Sequence, residues 1–210
     1  DSNPFRLYWN GNVKAKSSTL QNWYTIRFLG TNNSLEDLIL TDMREGLFPA
    51  VTQIGTLNIL KSRSINTGGL VLFTENTSRA YPNVTITALE ISEATNDILI
   101  QNYTGLTNLI NPTLNFSNLN WTTGTFNGSI ERKYEYETTL EDSGGSALEN
   151  VSLIMSDVRG DTVFDLSADS SGQIPKQTIT RAIYDYTFQT GDERGPHTLL
   201  TKIYGKNFVK

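Results

Sequence analysis

The chain has 210 residues, of which 17 are basic and 22 acidic, a formal net charge of −5 and no cysteine. This length fits one large all-β domain or two small ones, the basic residues form no patch that would indicate nucleic-acid binding, and a disulfide framework is excluded. No apolar run is long enough for a transmembrane segment. Because the chain opens on Asp1, we expect a processed product or a piece of a longer polypeptide.

The first residues predict an alternating β-strand. Phe5, Leu7 and Trp9 alternate with residues of different character, so the two sets fall on opposite faces of the strand. Two interpretations remain open. The strand is the first of its own domain, or residues 1–16 form a donor strand that completes the sheet of a neighbouring subunit.

The next segments carry a turn signal and one ambiguous element. Asn10–Gly11 is typical of a two-residue β-hairpin turn, and residues 22–30 alternate like a half-buried strand. Leu35–Gly46 has apolar residues at helical spacing after a capping-box pattern, which favours a helix. Asp37–Thr41 is equally well interpreted as a strand.

Residues 55–121 contain short apolar runs separated by turn residues. The runs recur at intervals of ~10–15 residues, a spacing that predicts an N-terminal β-sandwich. A short right-handed parallel β-helix is the alternative, because such strands also resemble the rungs of a solenoid. Asn127–Gly128 lies in the predicted joint, which gives two β-domains, 1–128 and 129–210.

The segment 147–175 has the clearest pattern in the chain. Two alternating runs are followed by Asp157–Gly160 and Asp169–Gly172, respectively. An Asp that opens a turn accepts backbone N–H groups, and a Gly that closes it tolerates positive φ. The pattern predicts strand, tight turn, strand, tight turn, strand.

These residues carry a resemblance to a known class of module. Residues 131–210 include GGSALENVSLIMSD, RGDTVF, SADSSGQI and GPHTLLTKIYGKNF. In order and spacing they resemble the immunoglobulin-like or carboxypeptidase-regulatory-like β-sandwich modules of secreted surface proteins, although Ala168 stands where Thr is common. The resemblance implies a sandwich fold, a surface location and a spacer or adhesive role, without catalytic residues.

Glycosylation sequons, Asn-x-Ser/Thr, are dense in the chain, and composition alone would give about four. They occur at Asn32, Asn76, Asn83, Asn102, Asn115, Asn120, Asn127 and Asn150. We therefore expect N-linked glycans and an extracellular or cell-surface location.

Candidate catalytic groups are few. The only histidine, His197, would have to serve any Ser–His–Asp triad, and no nucleophile motif accompanies it. Glu135 and Glu137 could act as a glycosidase pair, but on one strand face they are more simply surface charges. We expect no enzymatic activity and no cofactor.

Calcium is the one ion that the sequence suggests. Four acidic residues recur around the two C-terminal turns, and calcium prefers oxygen ligands from loops. They are Asp157, Asp161, Asp165 and Asp169. The alternative is that acidic residues serve here only as turn formers.

The functional expectation is an extracellular structural protein that assembles with identical copies into a filament, appendage or surface layer. Phe5, Leu7 and Trp9 are the candidate subunit-joining strand. The alternative is an adhesin or glycan-binding module of a larger surface protein. Tyr184, Tyr186 and Phe188 form an alternating aromatic row that would serve either sheet packing or sugar stacking.

Overall fold

The computed structural model describes residues 6–9, 14–21, 25–28, 32–41, 47–48, 56–60, 63–65, 70–73, 84–92, 94, 96–101, 103–122, 128–203 and 206–209. Within these ranges the chain is all β apart from one 3₁₀ turn, Phe116–Asn118. The strands are β1 (Arg6–Trp9), β2 (Lys14–Gln21), β3 (Thr25–Phe28), β4 (Asn32–Thr41), β5 (Leu47–Phe48), β6 (Thr56–Leu60), β7 (Arg63–Ile65), β8 (Leu70–Phe73), β9 (Val84–Thr87), β10 (Glu90–Ser92), β11 (Ile98–Gln101), β12 (Leu106–Ile110), β13 (Leu119–Trp121), β14 (Ser129–Thr139), β15 (Ser152–Ser156), β16 (Thr162–Ser167), β17 (Gln173–Tyr184), β18 (Asp192–Glu193), β19 (Thr198–Ile203) and β20 (Lys206–Val209).

A six-stranded sheet has the order β1-β3-β5-β8-β11-β13, and its strands pair in parallel. Between two neighbouring strands of this sheet the chain contributes at least one strand to a second sheet, and one such repeat is called a rung below. One register column is apolar throughout: Leu7, Ile26, Leu47, Leu70, Ile98 and Leu119. Ile98 is fully buried, so this column includes core residues.

A second sheet repeats this arrangement. Its order is β10-β7-β4-β6-β9-β12-β14-β17-β18, with β2 beside β4. The parallel pairs from β2 to β12 place another apolar column in register: Ala15, Leu35, Ile59, Ile86 and Leu109. Ile86 and Leu109 are fully buried. Successive rungs thus add strands in turn to two parallel sheets, which is the organisation of a β-solenoid.

The parallel pairing corrects three predictions. The N-terminal strands do not form the antiparallel pairs of a β-sandwich, and the β-helix alternative describes their topology. The hairpin predicted at Asn10–Gly11 is wrong, because β1 pairs with β3 whereas β2 pairs with β4. The helix predicted at Leu35–Gly46 is wrong over Leu35–Thr41, and the strand alternative at Asp37–Thr41 is confirmed, because this segment belongs to β4 and pairs with β2, β6 and β7.

A left-handed corner occurs at the same register position in three of the rungs. Ser17, Ala88 and Asn111 have φ values of 51, 53 and 50°, in the left-handed region. The residues before Ala88 and Asn111, Thr87 and Ile110, are register partners. The Ala88 N–H donates to the Ile110 carbonyl at 2.8 Å, so the rungs remain hydrogen-bonded through the bend. The bend at Ala88 and Asn111 changes the direction of these two rungs, while the hydrogen bonding between them is kept.

The chain forms two compact units. The first contains Asp1–Arg132 and Ile183–Gly191, and the second contains Lys133–Ala182 and Asp192–Lys210. The short segment Ile183–Gly191 thus belongs with the N-terminal unit, which the sequence did not predict.

The second unit contains a four-stranded antiparallel sheet, β16-β15-β19-β20. The predicted succession of strands and turns over 147–175 is confirmed by β15, β16 and β17. Apolar side chains of this sheet and of β14 and β17 share one cluster. Its members are Leu153, Met155, Phe164, Ala168, Ile174 and Ile179, with Tyr134, Tyr136, Leu140, Leu166 and Leu199 packed against them.

Three turns of this unit have the same hydrogen bonds. Asp142, Asp157 and Asp169 each accept, through Oδ1, the N–H groups two and four residues later, at 2.8 to 2.9 Å. The residue three positions later is a glycine with φ between 75 and 88° in each case: Gly145, Gly160 and Gly172. The Asp side chain thus closes the turn, and the Gly supplies the backbone conformation that other residues rarely adopt.

The contribution of core burial to stability can be measured by comparing two isoleucines of the same sheet: Ile86 is fully buried, whereas Ile39 is 41% exposed. We expect Ile86→Ala to lower the free energy of unfolding by about 2–5 kcal/mol, because it removes buried methyl groups and leaves a cavity. Ile39→Ala should cost less than about 1 kcal/mol. Urea denaturation followed by circular dichroism measures both, and equal losses would contradict the described burial.

Gly172 and Gly160 separate backbone strain from close packing. A Cβ on Gly172 would collide with the Leu140 carbonyl oxygen, whereas one on Gly160 would meet nothing within 4 Å. Both residues have positive φ, so Gly160→Ala should cost about 1–2 kcal/mol of unfolding free energy. Gly172→Ala should cost about 1–3 kcal/mol more because of the collision. If thermal denaturation gives the two variants equal stability, the close approach of Leu140 is wrong.

Candidate functional site

The strand predicted to join subunits lies at one edge of the six-stranded sheet. Leu7 and Trp9 belong to β1 and pair in register with Ile26 and Phe28 of β3, whereas Phe5 lies outside the described residues. Within the described ranges, β3 is the only strand beside β1. A strand edge without a neighbour can receive another strand, and the use of β1 in joining subunits stays a prediction.

The end strand of the second stack, β2, differs in character. Most of its residues are exposed, including Lys14 and Lys16. The Lys16 ammonium lies 3.1 Å from a Glu36 carboxylate oxygen. Lysines on an edge disfavour the addition of another strand, so β1 is the better candidate at this end of the stacks.

The sequons divide into those that the structure describes and those that it does not. Asn76, Asn83, Asn102 and Asn127 lie outside the described residues, and Asn32 is the first residue of β4. Asn115, Asn120 and Asn150 are exposed. Asn150 has a positive φ of 60° in a turn. These three positions satisfy the accessibility that attachment of a glycan requires.

Asn115 is held in place by two hydrogen bonds that do not involve its side-chain nitrogen. Its backbone N–H donates to Oδ2 of the buried Asp97 at 2.6 Å, and its Oδ1 accepts the Ser117 N–H at 3.0 Å. The glycan-accepting atom, Nδ2, takes part in neither bond. Asn120 differs, because its Nδ2 donates to Oδ1 of Asn96 at 3.3 Å. Asn115 is thus the better-prepared acceptor of the two.

A charged cluster lies beside the first turn after β15. The buried Asp157 has its Oδ2 3.5 Å from Nη1 of Arg194. Nη2 of Arg194 lies 3.2 Å from Asp192, which also pairs with Arg159. This cluster could not be predicted from the sequence, because its members come from separate segments and carry no motif. Its charges compensate one another, which is the arrangement of a structural network.

His197 lies next to a tyrosine. The Tyr134 hydroxyl is 3.0 Å from Nδ1 of the imidazole, and Nε2 is buried. Burial lowers the pKa of His197 and Arg181 lowers it further, while Asp157 and the Thr180 backbone oppose the shift. The hydroxyl partner of this ring is a phenol, whereas the triad considered above needs a serine in that place.

The predicted carboxylate groups lie apart or face solvent. Glu135 and Glu137 are exposed on β14, and Glu135 pairs with Lys176 at 2.7 Å. Of the four calcium candidates, Asp157 is buried at one end of β16, Asp169 follows its other end, and Asp161 and Asp165 are exposed. In the described part of the chain, no group of three or more His, Asp or Glu residues could hold a metal ion.

The predicted aromatic row is divided by the structure. Tyr184 is buried, and its ring stacks on Phe116 with centroids 5.0 Å apart. The Arg132 guanidinium lies 4.5 Å from the centroid of the same Phe116 ring. Tyr186 and Phe188, in contrast, are 53% and 50% exposed. One aromatic of the row therefore serves the core, and two face solvent.

Comparison with family models, curated proteins and solved structures finds no match to this chain. The described residues include no helix that is long and apolar enough to cross a membrane.

The turn aspartates predict a response to acid. Hydrogen bonds from Ser146 and Gly144 lower the pKa of Asp142, and those from Ser171 and Gln173 lower that of Asp169. A lowered pKa contributes stability above the unfolded value of about 4, and this contribution is lost as the pH falls through the folded value. The free energy of unfolding should therefore fall steadily below about pH 4.

Asp169 allows the charge to be separated from the turn. Asn retains the acceptor oxygen without the titrating group, so Asp169→Asn should flatten the fall in stability below about pH 4. Asp169→Ala removes the acceptor and should destabilise the protein at neutral pH as well. Urea denaturation between pH 2 and 7 measures both effects. A parent and an Asn variant with identical pH slopes would contradict the assignment of this carboxylate.

Proposed function

We propose that this chain is an extracellular, glycosylated structural subunit that assembles with identical copies through β-strand edges. The product is a cell-surface filament, appendage or surface layer. The observation that carries the proposal is the end of the six-stranded parallel sheet at β1, which has β3 as its one neighbour among the described strands.

Backbone chemistry explains why this edge favours assembly. Each inner strand of the stack is hydrogen-bonded on both sides, whereas β1 has a hydrogen-bonded neighbour on one side among the described strands. An added strand in register would extend the apolar column that starts at Leu7 and reaches the buried Ile98. It would gain both ladder hydrogen bonds and apolar contact, the two terms that bind one rung to the next inside the chain.

The second unit supports a spacer role in the same assembly. Its antiparallel sheet and its apolar cluster agree with the immunoglobulin-like or carboxypeptidase-regulatory-like sandwich that residues 131–210 resemble. Its regular Asp–Gly turns and paired charges stabilise the fold of this unit. The exposure of Asn115, Asn120 and Asn150 supports N-linked glycans and hence an extracellular location.

Two proline substitutions in β1 test the assembly. Successive N–H groups of a strand point to opposite edges, so Leu7→Pro and Tyr8→Pro each remove one donor, one facing β3 and the other facing the free edge. Sedimentation velocity and negative-stain electron microscopy at micromolar concentration should show large assemblies of the parent protein. The variant that keeps the parent's unfolding midpoint should remain monomeric.

Either of two results would overturn the proposal. The parent protein would stay monomeric across the concentration range, or the proline variant with unchanged stability would assemble as the parent does. Intact mass of material secreted from eukaryotic cells checks the glycans separately, since occupied sequons add hexose-sized increments above the 23.4 kDa of the bare chain.

A further inference from the structure

The segment 185–191 presents two aromatic side chains on a turn that is fixed at both ends. Tyr186 and Phe188 are the only large aromatic residues among the exposed apolar residues that the structure describes. Tyr186 is 53% and Phe188 is 50% exposed, so a ligand that covers this area would remove apolar surface from water.

The turn is ordered by its own hydrogen bonds. Asp185 Oδ1 accepts the N–H groups of Thr187 and Phe188, both at 2.8 Å. The Gly191 N–H donates to the Phe188 carbonyl at 3.0 Å, which closes the far side. The side-chain amide of Gln189 donates to the Tyr186 carbonyl at 3.2 Å. A ligand that meets this turn therefore pays little entropy for ordering the backbone.

The base of the turn is packed against the core of the N-terminal unit. Tyr184 is 2% exposed and stacks on Phe116. Gly191, with φ of 95°, lies so close to the Tyr184 ring that an added Cβ would come within 2.7 Å of it. Tyr186 and Phe188 are thus presented from a rigid support, which is what a preformed binding site requires.

We propose that this aromatic turn binds an oligosaccharide of gluco-configured pyranose rings. Such rings carry their hydroxyl groups equatorially, which leaves both faces lined with C–H groups that stack on aromatic rings. Thr187 and Thr190 lie beside the two aromatics and are exposed, so their hydroxyl groups can hydrogen-bond to the equatorial hydroxyl groups of such a sugar.

The size of the patch favours a sugar over a protein. A stable protein partner covers about 800 Å² on each side and needs a contiguous apolar centre. Here two exposed aromatic side chains are interleaved with polar residues, which offers stacking surfaces to a sugar but provides no such centre. This binding would be independent of the strand edge at β1.

The test is a titration of the ¹⁵N-labelled β1 proline variant that keeps the parent's unfolding midpoint, because this full-length variant stays monomeric and gives resolved amide signals. The two ligands are hexasaccharides, one of β-1,4-linked glucose and one of β-1,4-linked N-acetylglucosamine. We expect saturable shifts of the amide signals of residues 185–191 at millimolar sugar. Tyr186→Ala and Phe188→Ala should each weaken binding about tenfold, because each removes one stacking surface. Val158→Ala is the matched control: Val158 is 54% exposed and lies in the other unit, so binding should not change.

Both aromatics are exposed, so the variants should keep the parent's thermal midpoint, which confirms that any loss of binding is local. No shift with either hexasaccharide, or binding that survives both substitutions, would overturn the proposal. Because the β1 edge is blocked in this proline variant, a failure of the sugar titration leaves the proposed assembly untouched.

Discussion

The N-terminal unit depends on one constraint: each rung must place its strands in parallel register on the rung before. The backbone ladder sets the register, and the register stacks like on like, so that Ile59, Ile86 and Leu109 fall in one column. Burial of such a column stabilises only the correct alignment, because a shift of one residue would place the apolar side chains on the opposite face of the sheet. The corner at Ala88 and Asn111 keeps this register while the rung changes direction.

The second unit solves the same problem by other means. The strands of its four-stranded sheet are antiparallel, so the turns between strands determine the register, and three turns of the unit close with an Asp acceptor and a positive-φ glycine. This difference affects function as we propose it. A parallel stack ends in a strand edge that can receive another strand, whereas the turn-closed unit holds its charges in pairs, as Asp157 does with Arg194.

The parts of the fold that depend on local chemistry could be predicted from the sequence. The turns at Asp157 and Asp169 are such parts, because each Asp bonds to N–H groups within four residues. The solenoid was only an alternative, because its signal is a column of residues spaced by roughly 20 to 30 positions, which period-2 alternation does not reveal. The charged cluster around Arg194 was also missed, because its members come from separate segments and carry no motif. The aromatic row could be found, but only burial distinguished Tyr184 from Tyr186 and Phe188.

The parallel register itself is the claim on which the rest stands, and one cross-link measures it. Thr85 and Asn108 are partners in neighbouring rungs, and the chain has no cysteine of its own. Thr85→Cys with Asn108→Cys should form a disulfide nearly completely under mild oxidation, since adjacent strands hold Cα atoms within the range that a disulfide spans. Thr85→Cys with Leu109→Cys, whose side chains face opposite ways, should not. Equal cross-linking of the two pairs, or none in the first, would contradict the stacked rungs.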